Sequence, residues 1–369
     1  MNPLVRLGEL GQSPWLDYIT RDLLQSGELQ RLIDKDGLRG MTTNPTIFEK
    51  SVATGDRYDA DIRRLTDEGR KPADVFEQMA VADVRAACDR FLPLYHRTEG
   101  QDGFVSIEVS PDLANNTEAT VEQAQRLWTA VARPNVMIKI PGTAEGLPAI
   151  TRSLARGINV NITLLFSVER HRQVMEAYLA ALEQRRAKRE PVNRIASVAS
   201  FFVSRVDTKL DPMLDKGNAT AKSLRGKIAI ANALVAYDAF QQVFRGPRWD
   251  ALAKEGARVQ RPLWASTSTK DPTLPDVYYV EALIAKDTVN TLPPETLAAY
   301  RDHGKPEVRI TPQAIREAKE QIAKLATVGI NLEQATTELE QEGVQKFIAS
   351  FTSLLNGVAQ KTAALSGAH

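Results

Sequence analysis

The chain has 369 residues, 43% of them hydrophobic and 25% charged, a makeup that excludes a disordered or collagen-like chain. Forty-seven basic side chains against 46 acidic ones leave a net charge of +1, which excludes a charge-driven nucleic-acid or membrane surface. The single cysteine, Cys88, excludes an intrachain disulfide, and the four histidines, at 96, 171, 303 and 369, lie too far apart to form a metal-ligand motif.

The opening Met1-Asn-Pro-Leu-Val-Arg6 is not an apolar signal region, and no apolar run reaches the ~18 residues of a membrane span. A cytoplasmic protein that needs no metal is therefore expected. Residues 1–13 read as an irregular lead-in. A short strand over 13–19 carries Asp17, and 22–32 has helical spacing with Leu23, Leu24, Leu29 and Leu32 on one face. A second strand over 38–45 carries Thr42 and Asn44 and stops at Pro45, because a residue before proline avoids the helical region. Helices follow at 56–68 and 72–91, with Cys88 a small packed residue on the second. A third strand over 103–111 alternates and carries Glu108; Thr117 is the expected cap of a helix over 116–132.

Lys139 stands in a fourth strand, Asn135-Val-Met-Ile-Lys-Ile-Pro-Gly-Thr143. A short helix spans 144–154, and a fifth strand over 157–166 carries Asn161 and Thr163. The helix over 168–186 ends in Arg185-Arg-Ala-Lys-Arg189, read as a solvated C-terminus that suits the helix dipole. A sixth strand over 194–203 carries Ser200 and Phe202 and leads into Arg205. Residues 206–247 are helical around a break near Gly217. A seventh strand over 261–269 runs through Ser268 into Lys270, and a weaker eighth covers 287–294. Near the end, Val344, Phe347, Ile348, Phe351, Leu354, Leu355 and Val358 make an apolar helical stripe.

Eight strands alternating with helices give an α/β chain with the count of a (β/α)8 TIM barrel. The rival, a doubly wound open sheet, lacks a Gly-rich dinucleotide or P-loop fingerprint here. The expectation is one barrel domain over 1–369, with residues 305–369 a helical extension packed on the barrel. The apolar stripe serves either the same chain or a partner, so a monomer and a homodimer both remain open.

Chemistry in such a barrel sits at the C-terminal strand ends. Asp17, Thr42, Asn44, Glu108, Lys139, Asn161, Thr163, Ser200, Arg205, Ser268 and Lys270 all fall there. A lysine within an apolar strand is unusual, since burial disfavours the charged form of an amine and frees its lone pair. Taken alone it also reads as a lysine on an edge strand or one snorkelling at a strand end. With two carboxylates and two amides nearby, it reads as a nucleophile that attacks a ketone, loses water to an iminium, and uses that electron sink to break a bond one carbon away. Arg205, Lys270 and the hydroxyls of residues 266–269 read as an anion site. The plainer readings are an ion pair of Arg205 with Asp207 or Glu169, and a helix cap before Pro272.

Five blocks resemble signatures of the transaldolase family: Gly40-Met-Thr-Thr-Asn-Pro-Thr46, Val105-Ser-Ile-Glu-Val-Ser-Pro111, Val136-Met-Ile-Lys-Ile-Pro-Gly-Thr143, Asn159-Val-Asn-Ile-Thr-Leu-Leu-Phe-Ser167 and Ser200-Phe-Phe-Val-Ser-Arg205. They occur in the family's order over roughly 14–272. The resemblance implies a class I aldolase-type barrel without a cofactor, acting in the pentose phosphate pathway. Such an enzyme moves a dihydroxyacetone unit from sedoheptulose 7-phosphate to glyceraldehyde 3-phosphate, giving erythrose 4-phosphate and fructose 6-phosphate. It implies Lys139 as Schiff-base lysine, Asp17 as acid/base on the substrate hydroxyl, and Glu108 with Thr163 as holders of the dehydration water. It places Thr42, Asn44, Asn161 and Ser200 on the dihydroxyacetone portion and Arg205 on phosphate. Many members have a second arginine where this chain has Ser268-Thr-Lys270, and a lysine holds phosphate without a bidentate fork. The chain is longer than compact members and resembles the long bacterial subfamily. The alternatives are a fructose 6-phosphate aldolase, in which Tyr stands where this chain has Phe202, and a sugar-phosphate-binding or adhesion protein without turnover.

Overall fold

The computed structural model describes residues 2–43, 48–49, 51–52 and 55–366. Eight parallel strands close into a barrel in sequence order. They are β1 Gln12–Asp17, β2 Gly40–Thr42, β3 Phe104–Glu108, β4 Val136–Pro141, β5 Val160–Leu165, β6 Ser197–Phe202, β7 Arg261–Ala265 and β8 Thr288–Leu292. Helices lie between the strands, so the architecture is the expected (β/α)8 barrel. Every strand of β4 to β8 is buried along its whole length, which is why these segments read as near-continuous apolar runs rather than clean alternations.

A polar cluster closes the N-terminal end of the barrel. Asp102, just before β3, accepts from Ser13 Oγ of β1 at 2.6 Å, from Arg261 Nη1 of β7 at 3.1 Å and from Arg39 Nη1 at 2.9 Å. Asp102 and Arg261 are buried, and the two cations hold the Asp102 carboxyl below the usual range against the opposing effect of burial. β1 and β7 are thereby cross-linked, together with Arg39, through one carboxylate.

Several local expectations need correction. The lead-in holds a helix, Pro3–Glu9, because Asn2 caps it by accepting from Leu4 N, Pro3 suits its first turn, and Leu4 and Leu7 are buried. The segment after β1 forms two helices, Arg21–Gln25 and Glu28–Lys35, parted at Gly27, whose φ of +84° favours glycine. Asn116, not Thr117, caps the helix Thr117–Val131; the Thr117 hydroxyl donates to Glu145 O instead. Arg185 is not solvated: it is buried and donates to the Ala155 and Pro191 carbonyls, tying its helix to the next loop. Cys88 is buried in the helix Pro72–Arg97, as expected.

The C-terminal helix Leu332–Ser366 lies over the C-terminal end of the barrel. At Gly343 it approaches β5 so closely that a Cβ there would stand 3.0 Å from Leu164 Cδ2. The apolar stripe faces this chain: Val344, Leu354 and Val358 are buried, and Phe351 packs edge-on to Phe76 at 5.7 Å. No described helix is long and apolar enough to cross a membrane.

Asp102→Ala leaves Arg261 charged, buried and without its carboxylate. It should lower unfolding stability by about 3–5 kcal/mol, read from the denaturant midpoint.

Candidate functional site

Lys139 pairs in register with Glu108 on β3 and with Asn161 on β5, so three polar side chains share one layer near the C-terminal strand ends. Lys139 is 5% exposed, in a strand that is buried along its whole length. Its Nζ donates to the Thr43 carbonyl at 3.1 Å, stands 3.7 Å from Glu108 Oε2, and lies 5.6 Å from the centre of the Phe347 ring.

The Glu108 side chain is 8% exposed, and neither oxygen has a hydrogen bond among the described residues. Burial pushes its carboxyl up to about 7; the Lys139 charge opposes this and the Asp17 charge adds to it. At neutral pH such a group both takes and gives a proton. Asp17 ends β1 and accepts from Thr42 Oγ1 at 2.7 Å. The Thr42 hydroxyl also lies 2.7 Å from Thr291 Oγ1 of β8. One hydroxyl has one proton, so when Thr42 donates to Asp17, Thr291 donates to Thr42.

On the other side of the lysine, Ser200 Oγ donates to Asn161 Oδ1 at 2.7 Å, and Asn161 Nδ2 donates to Ser106 Oγ at 3.0 Å. This relay links β6, β5 and β3 and fixes which end of the Asn161 amide faces which strand. Thr163 sits in an irregular stretch: the β5–β6 register shifts between Ile162 and Leu165, and Leu164 has a φ of +62°. A leucine in the left-handed region is strained, and bulges of this kind re-aim a neighbouring side chain. The buried Thr163 Oγ1 has no hydrogen bond among the described residues.

Arg205 lies in the first turn of the helix Ser204–Leu214, its guanidinium 5.0 Å from the Phe202 ring centre. Phe202 in turn lies 5.2 Å from Phe166. Burial pushes Arg205 down, and the Asp17 charge opposes this. The ion pair with Asp207 does not form: the Asp207 carboxylate accepts from Ala229 N at 2.7 Å and Tyr279 OH at 2.9 Å, holding the start of the helix Ile228–Val243. In the loop after β7, Thr267 donates to Asn290 Oδ1, Thr269 donates to the Pro275 carbonyl, and Ser266 bonds Ser204. The protons of Thr267 and Thr269 are therefore committed, which narrows the expected hydroxyl cluster toward Ser268. Ser268 is half-buried and Lys270 is exposed. Asn44 lies outside the described residues.

Four contributors went unnoticed in the sequence. Ser106 stands two residues before Glu108 and so shares its face, a signal that period-2 reading carries. Thr291 lies in the weak eighth strand, and Phe347 was grouped with an apolar stripe. The Thr43 contribution is a carbonyl, which no side-chain pattern encodes.

The family described as "Transaldolase/Fructose-6-phosphate aldolase" matches residues 14–358. A protein named transaldolase from Thermobifida fusca (strain YX) is 49% identical, covering 98% of this chain and 99% of that one. Another of that name from Trichodesmium erythraeum (strain IMS101) is 45% identical over 99% of both chains. A third, from Frankia alni, is 47% identical over 98% of this chain and 97% of its own.

Glu108 binds its proton more tightly folded, at about 7, than at the ordinary 4.5. The folded state therefore loses stability as pH rises from the ordinary value through about 7. Glu108→Gln removes this dependence. Its melting temperature relative to wild type should rise between about pH 5 and about pH 8.5, with a stability gain of order 3 kcal/mol at most. An unchanged difference across that range would contradict the reading.

Proposed function

This chain belongs to the transaldolase/fructose-6-phosphate aldolase family, and from that premise we propose that it is a transaldolase acting through a Schiff base on Lys139. The observation that carries the reading is a buried lysine 3.7 Å from a buried carboxylate at the C-terminal end of a closed barrel. The donor is sedoheptulose 7-phosphate and the acceptor glyceraldehyde 3-phosphate, in the pentose phosphate pathway of the cytoplasm. The products are erythrose 4-phosphate and fructose 6-phosphate, and the protein works as a monomer or homodimer.

Neutral Lys139 attacks the donor ketone, and the carbonyl oxygen takes a proton to give a carbinolamine. Glu108, with Thr163 holding the water between them, protonates the departing hydroxyl, and an iminium forms with loss of water. A raised carboxyl suits this step, because the group must be an acid in one direction and a base in the other. Asp17 then takes the proton of the substrate hydroxyl. The adjacent carbon–carbon bond breaks, its electron pair flows to the iminium nitrogen, and an aldehyde leaves an enamine behind. Attack of the enamine on the acceptor aldehyde, with Asp17 returning its proton, reverses the sequence. Thr42, Asn44, Asn161 and Ser200 hold the three-carbon unit, while Arg205, Ser268 and Lys270 hold phosphate. The residue set is a single barrel over 1–369, with residues 305–369 as an extension on it.

Phe202 favours transfer over release of free dihydroxyacetone. Its ring lies between Phe166 and the Arg205 guanidinium and offers no hydroxyl to deliver a proton to the enamine.

Borohydride reduction in the presence of fructose 6-phosphate should attach a reduced three-carbon adduct to the peptide holding Lys139. Lys139→Met should abolish trapping and lower turnover by at least about 10³-fold while the fold persists. An adduct elsewhere, or activity retained in the variant, overturns the mechanism. With no acceptor present, a single charge of enzyme should form and stall; continuous accumulation of dihydroxyacetone would indicate the aldolase.

A further inference from the structure

We propose that Phe347, on the C-terminal helix, is a specificity-determining residue that shields the Lys139-bound three-carbon intermediate from water, so that the unit is transferred rather than released. The inference rests on the Schiff-base reading of Lys139 and adds a residue that lies more than two hundred positions away in the chain. An ammonium has three N–H bonds. At Lys139 its neighbours are the Thr43 carbonyl, the Glu108 carboxylate and the face of the Phe347 ring. The first two belong to strand-end segments beside the lysine. The ring comes from outside the barrel and is the described aromatic group set against the nitrogen.

The helix that carries the ring is fixed on both sides of it. Before Phe347, Lys209 pairs with Glu338 at 2.8 Å and Glu342 at 2.7 Å, and Arg170 pairs with Glu340 at 3.2 Å. Gly343, one turn before Phe347 and on the same face, lets the backbone settle against Leu164 and Phe166. After Phe347, Phe351 packs on Phe76, Ser353 Oγ donates to Glu49 at 2.5 Å, and Lys361 pairs with Asp59 at 2.7 Å. Lys209 lies between β6 and β7, Arg170 between β5 and β6, and residues 49, 59 and 76 between β2 and β3, so the helix is held by three barrel connections and keeps the ring in one place. A ring needed only to fill space has no reason to face a buried cation, whereas an aromatic face attracts one.

The chemistry gives this placement a consequence. The iminium keeps a positive charge on the same nitrogen, so the ring continues to face a cation after substrate binds. Once the first aldehyde has left, the enamine has two fates. Attack on the acceptor aldehyde forms the new carbon–carbon bond. Alternatively the enamine carbon takes a proton to regenerate an iminium; one water adds to the iminium carbon, the carbon–nitrogen bond breaks, and dihydroxyacetone leaves with the amine restored. The second route needs water at the carbon bonded to Nζ, the region the Phe347 ring covers.

With fructose 6-phosphate as donor and erythrose 4-phosphate as acceptor, the test measures dihydroxyacetone released against erythrose 4-phosphate consumed in transfer, together with borohydride trapping, for Phe347→Ala, Phe347→Leu and Phe347→Tyr. Phe347→Ala should raise the release-to-transfer ratio about tenfold or more with trapping at Lys139 retained, and Phe347→Tyr should return it toward wild type. Phe347→Leu keeps most of the volume, so it reports even if the alanine variant does not fold. A ratio within twofold of wild type in the foldable variants, or trapping lost in all of them, overturns the proposal. Failure of the wild-type protein to trap at Lys139 would instead overturn the Schiff-base reading on which it rests.

Discussion

The structure turns on one arrangement: an amine and a carboxyl buried together, 3.7 Å apart, with little water to solvate either. Burying both charges is costly, and the separation is too long for a strong charged hydrogen bond to offset that cost. Moving one proton from the ammonium to the carboxylate leaves the pair's total charge unchanged. The uncharged pair holds a free amine lone pair beside an acid, the state that addition to a ketone and loss of water require. Burial, which raises Glu108 to about 7, favours the protonated carboxyl of that state. The Asp17 charge works on Glu108 in the same direction.

Such a pair is useful only if its neighbours cannot relax around it. The strands supply that rigidity through cross-strand relays: Ser200 to Asn161 to Ser106 on one side, and the Thr42 hydroxyl between Asp17 and Thr291 on the other. At the opposite end, Asp102 ties β1 and β7 together with Arg39. The two ends divide labour in a way the barrel permits. The N-terminal cluster has every carboxylate oxygen paired, which suits stability, while the C-terminal layer leaves Glu108 and Thr163 without hydrogen bonds among the described residues, which suits binding.

Strands such as β4 were legible because they are buried along their length and end in a turn signal, as Ile138-Lys-Ile-Pro-Gly142 shows. The polar residues were legible as a group, since a (β/α)8 count places strand ends together without any knowledge of contacts. Boundaries and caps were less so: Asn116 and Thr117 are both competent caps, and a carbonyl contributed by the distant Glu145 decides between them. The solvated reading of Arg185 failed for the same reason, since its partners are the carbonyls of Ala155, at the end of the preceding helix, and of Pro191, in the following loop. The bulge at Leu164 was not legible at all. Nothing about leucine favours a φ of +62°, and the conformation is held by packing, including the close approach of Gly343 from the far end of the chain.

That approach explains why the C-terminal helix matters to chemistry and not only to packing. A barrel mouth is open by construction, yet a covalent enamine survives to meet its acceptor only if water is kept from it. A helix added after the eighth strand can supply a cover, provided it crosses close to the layer beneath. Glycine at 343 allows the close approach, the strained β5 backbone receives it, and one turn later Phe347 arrives over the lysine. Phe202, beside Arg205, offers the proposed intermediate a ring without a hydroxyl. A pocket built to hold a hydrolysable adduct gains from surfaces that attract its positive charge and offer no proton to its carbon.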